Sequence, residues 1–204
     1  KEMDVLNLLY DRQRKQYQIA RQNVQIINRK CHELKVQIAD LRRLQPDEAT
    51  TQSLDEAEQA ARMYDANAAT GNEVLDVVLT EKSLLCEAQR IRLNCVADGT
   101  CLAAIEPGDL YALFSNLLDQ AIDAAAQQQN DRRMIDLLVC RRQGFAVINV
   151  IGPALSGSQS DHGRRHSYEL KVARRGVQKY SGTMATEPRG ELFAVKIVMP
   201  LTRG

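Results

Sequence analysis

From Leu6 to Leu41 the apolar residues recur at alternating steps of three and four: Leu6, Tyr10, Gln13, Tyr17, Ala20, Val24, Ile27, Cys31, Leu34, Ile38 and Leu41, with Gln13 the clearly polar exception. This sustained 3.5-residue period predicts a coiled coil or helical bundle rather than a helix lying on a globular core. Residues 1 to 45 contain no Gly or Pro and are rich in Gln, Arg, Lys and Leu, all good helix formers. Such a seam needs a partner, and a second copy of the chain would supply one in a two-fold dimer. Pro46 and Asp47 end this helix and start another over 47–68, with Leu54, Ala57, Ala61 and Tyr64 on its apolar face. Two helices joined by a short turn form an antiparallel hairpin, and two hairpins form a four-helix bundle.

Thr70, Gly71 and Asn72 interrupt the pattern, and helix then alternates with strand. The segment from Val74 to Ala88 predicts a helix with Val74, Val77, Val78 and Leu85 inward. Arg92 to Val96 and Cys101 to Ile105 predict two strands around a turn at Asp98-Gly99. Pro107 suits the first turn of a helix running to Gln128. Strands over 133–140 and 145–151 meet at Gln143-Gly144, and a loop from Gly152 to Gly163 leads to a helix over 167–180. Gly182 introduces a final hairpin that turns at Gly190 and closes at Pro200. The order predicts an α+β fold: a mixed sheet with three helices on one face, behind an N-terminal helical hairpin. The expected division is a helical dimerisation region over 1–70 and an α/β domain over 71–204.

Composition narrows the classes. The 204 residues suit one medium domain with an appendage, or two small domains. A formal net charge of +1 gives no global pull toward nucleic acid or an acidic membrane surface, so no nucleic-acid partner is expected. Aromatics are scarce and Trp is absent, which argues against an RNA-stacking or carbohydrate-binding surface. Five scattered cysteines without a CxxC pair fit small buried hydrophobes in a reducing cytosol better than a zinc site or disulfide framework. No apolar run approaches the roughly 20 residues of a membrane span. The chain opens on Lys1 inside a helical pattern and is read as a piece of a longer protein.

Three constellations could carry chemistry. His32 follows the seam residue Cys31 and so lies on the flank of the coil; Glu33 beside it could fix one tautomer and leave the other ring nitrogen nucleophilic. On spacing alone, a solvent-facing histidine without a role is the more common case. In the helix from Gly108 to Gln128, Leu113, Leu117, Leu118, Ala121, Ile122 and Ala125 form the buried stripe, while Asn116, Gln120 and Asp123 share a polar face. Amides and a carboxylate on one face can hold a hydrated magnesium ion and phosphate oxygens, although an ordinary amphipathic helix explains the same pattern. After strand 145–151, Gly152, Gly157 and Gly163 are present without a tight Gly-x-Gly cluster, and Arg164 and Arg165 follow them. That basic run could grip an anion or simply be solvated.

Together these strings resemble the GHKL-type sensor histidine kinases, in particular the branch of citrate-sensor and Agr-like quorum-sensing receptors. NRKCHELKVQI, from Asn28 to Ile38, is similar to that family's phosphoacceptor box. GNEVLDVVLTEK, from Gly71 to Lys82, is similar to its Gly-Asn-x-x-Leu-Asp entry motif, and LFSNLLDQAIDA, from Leu113 to Ala124, resembles its N-box. Lys179 to Gly182 and the closing strands resemble its C-terminal end. The resemblance implies the cytoplasmic portion of a membrane-anchored bacterial protein, with membrane contact only through a sensor region outside this piece. It implies a homodimer that transfers a phosphoryl group from ATP, with Mg, to His32, and then to the receiver domain of a response regulator. Implied catalytic residues are His32 and Glu33; ATP contacts are Asn116, Gln120, Gly152, Arg165 and Lys171, with Gln120 also on the metal.

The strings depart from the family pattern at the nucleotide. Gln120 stands for the second N-box Asn, one methylene longer, setting its oxygen about 1 Å from where magnesium coordination requires it. Gly152 stands where the family carries an adenine-binding Asn or Asp, and the lid glycines fall on Arg165, Ser167 and Glu169. A weakened ATP site is therefore expected, and the alternative function is a pseudokinase-like dimeric scaffold. A third reading, outside signalling, is a coiled-coil interaction protein with an unrelated α/β cap.

Overall fold

A computed structural model describes residues 2–44, 48–65, 69–154 and 161–201. The N-terminal part is the predicted pair of helices, α1 (Glu2–Leu44) and α2 (Glu48–Asp65), packed as a hairpin. Pro46 and Asp47 lie outside the described residues. Cys31 and Ile38 of α1, and Leu54 and Ala61 of α2, are buried. Ala57, expected on the apolar face of α2, is exposed, and the side chain of Tyr64 lies outside the described residues. The Arg42 guanidinium ties the helices together by pairing with Asp55 and, at 2.8 Å, with Glu58. Leu34 and Leu41 of the seam remain exposed within the single chain.

The second part is a five-stranded sheet in the order β1-β2-β3-β5-β4, built from β1 (Arg92–Ala97), β2 (Met134–Arg142), β3 (Phe145–Pro153), β4 (Thr183–Arg189) and β5 (Leu192–Pro200). Only β1 and β2 run parallel, so the sheet is mixed as expected. Helices α3 (Glu73–Ala88), α4 (Pro107–Ala126) and α5 (Asp161–Lys179) form the second layer. Ile135, Leu137, Val139, Ile148, Val150 and Ile197 of the sheet meet Leu75, Val78, Phe114, Leu117 and Val177 of the helices in one buried cluster. Removing this apolar area from water is the main driving force for the fold. Ala20 and Val24 of α1 belong to the same cluster.

Local chemistry explains the elements. Asn72 caps α3, its side chain accepting from the amides of Val74 and Leu75 at 3.1 Å each. Asp76 accepts from the Thr70 amide and hydroxyl, and Gly71 sits at φ +85° between them, where glycine carries no penalty. The Gly-Asn-x-x-Leu-Asp string is thus a helix start, and its Leu75 is fully buried. Gln143 and Gly144 both have positive φ, the geometry of a tight hairpin turn that continues the strand twist.

Three expectations need correction. No strand covers Cys101 to Ile105: residues Gly99–Leu102 form one turn of 3-10 helix. Asp98 caps that turn by accepting from the Thr100 amide, while the Gly99 amide donates to Thr70 O. The partner of β1 is therefore β2, reached across α4, which makes that pair parallel. Leu85 is exposed, and Cys86 takes the inward place on α3. Helix α5 starts at Asp161 rather than near residue 167, so the positions of the lid glycines, Arg165, Ser167 and Glu169, fall inside a helix.

Candidate functional site

Helix α4 positions the central group of polar side chains. Pro107 occupies its first turn and needs no amide partner there. Its other end is free of Gly and Pro, and the six residues of the expected stripe, Leu113 to Ala125, are all buried. Asn116 and Gln120 lie one turn apart on the flank of that stripe; Asn116 is half-buried, and Gln120 is 8% exposed. Asp123 is half-buried on the same side. Gly152, buried at the end of β3, faces this helix: a Cβ built on it would lie 3.6 Å from Ala121 Cβ, beside Gln120. The fold therefore seats Gly152 against α4 at Ala121, the residue after Gln120, while Asn116 lies about 140° around the helix from Ala121.

The other expected residues are placed elsewhere. His32 is exposed on α1, eight residues and about 12 Å along the helix from Val24. Glu33 is exposed and accepts from Lys30 Nζ at 2.7 Å; that hydrogen bond is the main reason its carboxyl is held below the ordinary range. Lys171 is exposed on α5. Arg165 lies in the first half of α5, and its side chain is outside the described residues.

Two clusters went unread in the sequence. At the base of α4, the buried Asp109 carboxylate accepts from Lys179 Nζ at 2.7 Å and from the Tyr180 hydroxyl, which itself accepts from the Glu106 amide at 3.1 Å. This joins the start of α4 to the end of α5, and the bond to Asp109 raises Lys179 above its ordinary value. Between α3 and α4, Lys82 is 5% exposed and its Nζ lies 2.7 Å from Asp119 Oδ1 and 3.5 Å from Glu81 Oε1. Tyr111 donates to Glu81 Oε2 at 3.0 Å, and its ring packs on that of Tyr17 from α1 with centroids 5.5 Å apart. Burial pushes the Tyr111 hydroxyl up, and Glu81 adds to it. Burial likewise raises the Asp119 carboxyl in spite of Lys82. The signal was present: Leu75, Val78, Lys82 and Cys86 step by three and four along one face, so Lys82 stands at an inward position.

Among the described residues no group of three or more His, Cys, Asp or Glu side chains is placed to hold a metal ion. A magnesium ion suits the amide pair differently, since it keeps most of its waters and takes one or two protein ligands plus phosphate oxygens. Asn116 and Gln120 carry amide oxygens, a donor type such a site can use, and Gln120 is buried. No helix among the described residues is long and apolar enough to cross a membrane.

Comparison with known proteins bears on the second part of the chain. Residues 105–200 match the family model of the GHKL domain. A comparison with curated proteins finds no match. Among solved structures, the catalytic domain of histidine kinase ThkA is similar over 65% of this chain and 93% of its own, with 16% identity and a TM-score of 0.50. The histidine kinase AdeS of Acinetobacter baumannii is similar over 78% of this chain and 87% of its own, at 12% identity and a TM-score of 0.46. The histidine kinase domain of the blue-light activated kinase EL346 from Erythrobacter litoralis covers 88% of this chain and 94% of its own, at 15% identity and a TM-score of 0.44. Across residues 105–200, just under half of the chain, the sequence is similar to the GHKL domain, and the fold is that of a histidine-kinase catalytic domain.

Proposed function

We propose that this chain is the core of a histidine kinase: a GHKL nucleotide site between α4 and the end of β3, and a phosphoacceptor, His32, on α1. The observation that carries the reading is the match of residues 105–200 to the GHKL family, with Gly152 seated on α4 at Ala121, beside Gln120, inside that segment. That match also favours a nucleotide-binding protein over a non-binding scaffold. Asn116 and Gln120 would hold the magnesium ion, which neutralises charge on the phosphates when bound. The side chains of this domain otherwise position groups, because phosphoryl transfer leaves the protein little covalent work.

In the transfer step a ring nitrogen of His32 attacks the γ-phosphorus. The bond from that phosphorus to the bridging oxygen breaks, and ADP leaves with the electron pair. The proton on the phosphorylated imidazole passes to solvent. Lys30 occupies one oxygen of Glu33, Oε2, and the other could accept from the ring; an exposed pair of this kind also opens at little cost. A response-regulator receiver domain would then take the phosphoryl group. On this reading the active form is a homodimer, and membrane contact belongs to a sensor region outside this piece.

Titration calorimetry with ATP, with and without magnesium, tests the nucleotide site directly. Magnesium-dependent binding that is lost in Asn116→Ala is the expected result. If no heat of binding appears up to millimolar ATP, the nucleotide reading is wrong. Incubation with γ-labelled ATP should label the chain, and His32→Ala should remove the label.

A further inference from the structure

The side of α4 that meets α1 is not the side proposed to hold nucleotide. Counting about 100° per residue from Tyr111 places Asn116 about 140° and Gln120 about 180° around the helix. Between these two sides runs a continuous set of contacts. Tyr17 of α1 packs against Tyr111 with the rings tilted 49°; Tyr111 bonds Glu81; Glu81 and Asp119 both lie near Lys82 Nζ; and Asp119 directly precedes Gln120. Arg21 of α1 pairs with Glu73 at 2.7 Å at the start of α3, and Arg14 packs over Gly108 at the start of α4. A lysine buried to this degree is costly unless its carboxylate partner stays in place, so Lys82 and Asp119 restrain each other.

We propose that Glu81, Lys82 and Tyr111 are positioning residues for the nucleotide site: they fix Asp119, and through the helix backbone the adjacent Gln120, and Tyr17 is the outer element through which α1 acts on them. The proposal rests on the reading of Gln120 as a nucleotide and magnesium contact. It gives α1, the helix that carries His32, a physical route to the magnesium side of the site without touching it. Networks of this kind transmit about 0.5–2 kcal/mol, which is about twofold to thirtyfold in affinity.

The test uses the whole chain and three variants: Tyr17→Ala, Tyr111→Phe and Lys82→Arg. Two quantities are read: the ratio of ATP affinities with and without magnesium, and the hydrogen-exchange protection of the α4 amides at Asn116 to Ile122. Tyr17→Ala and Tyr111→Phe should lower the ratio about threefold or more, leave magnesium-free affinity unchanged, and reduce protection at those amides. Lys82→Arg, which keeps the charge beside Asp119, should retain most of both. Equal loss of affinity with and without magnesium would reduce the cluster to a stability role and overturn the proposal. So would unchanged protection in Tyr17→Ala and Tyr111→Phe. If the unmodified chain binds no ATP, the nucleotide reading fails, and the exchange data still decide whether α1 restrains this stretch of α4.

Discussion

Gly152 has room for a Cβ, and Gly182 has none. A Cβ at Gly152 would meet its neighbours at 3.6 to 3.9 Å, ordinary contact distances, so the backbone there does not demand glycine. Gly152→Asn should raise ATP affinity about fivefold, the worth of roughly one net hydrogen bond to the base, as read by calorimetry. An unchanged affinity would mean that the base does not approach β3. At Gly182 the same Cβ would lie 2.5 Å from Met199 Cγ, 2.8 Å from Val177 Cγ1 and 3.0 Å from Val198 O. Gly182→Ala should cost about 1–3 kcal/mol in urea unfolding, because both side chains and the β5 backbone would have to shift. Lys82→Met leaves Asp119 without its cation; because the Asp119 side chain is 41% exposed, water can solvate it, and the change should cost about 1–3 kcal/mol in urea unfolding.

The elements were legible wherever one local rule dominated. The 3.5-residue period marked α1, Pro107 marked the start of α4, and Gln143-Gly144 marked the β2–β3 hairpin. The segment after β1 is ambiguous in sequence because Cys101 and Leu102 are buried, and an apolar run that short fits strand and 3-10 turn alike. What decided it was non-local: the Thr70 carbonyl accepting from the Gly99 amide, and Val139 O accepting from the Asp98 amide. The site was half legible. Asn116 and Gln120 shared a helix face by spacing, but only the fold could seat Gly152 against Ala121. The Asp109–Lys179–Tyr180 clamp joins α4 to α5 across a separation that no spacing rule reaches. Its pH dependence follows from the raised Lys179 value. The native lysine holds its proton more tightly than the unfolded one. The pair's contribution is therefore full below the ordinary value of 10.5 and is lost as pH rises through the raised one. Lys179→Met should lower the urea midpoint at neutral pH and flatten its decline at alkaline pH. A midpoint unchanged at neutral pH would show that the exposed ammonium adds nothing to the bond from Tyr180.

At the scale of the whole molecule, α1 has two apolar faces and only one is covered. Ala20, Val24, Cys31 and Ile38 turn inward, the first two toward α3 and α4 and the last two toward α2. Beside them Leu8, Ile19, Ile26, Leu34 and Leu41 are each between 49% and 71% exposed. The last four are spaced by seven, eight and seven residues, so they form one stripe on a straight helix. A stripe of that size in water favours association, and a second α1 in the same register would bury it symmetrically. Ile26→Glu together with Leu34→Glu should therefore convert a dimer into a monomer in sedimentation equilibrium. The fold should survive, since neither side chain belongs to the buried cluster. The same variant separates two effects of the bundle. If α1 acts on the nucleotide site through Tyr17 within one chain, the monomer keeps its magnesium-dependent ATP affinity. If His32 is reached only by the nucleotide of the other copy, the monomer binds ATP and fails to label itself, and mixing it with dimer-competent chains carrying His32→Ala restores no label. A monomer that labels itself at the full rate would place His32 and its own nucleotide site within reach of each other, and α1 would then have to leave its seat on Tyr111 during the reaction.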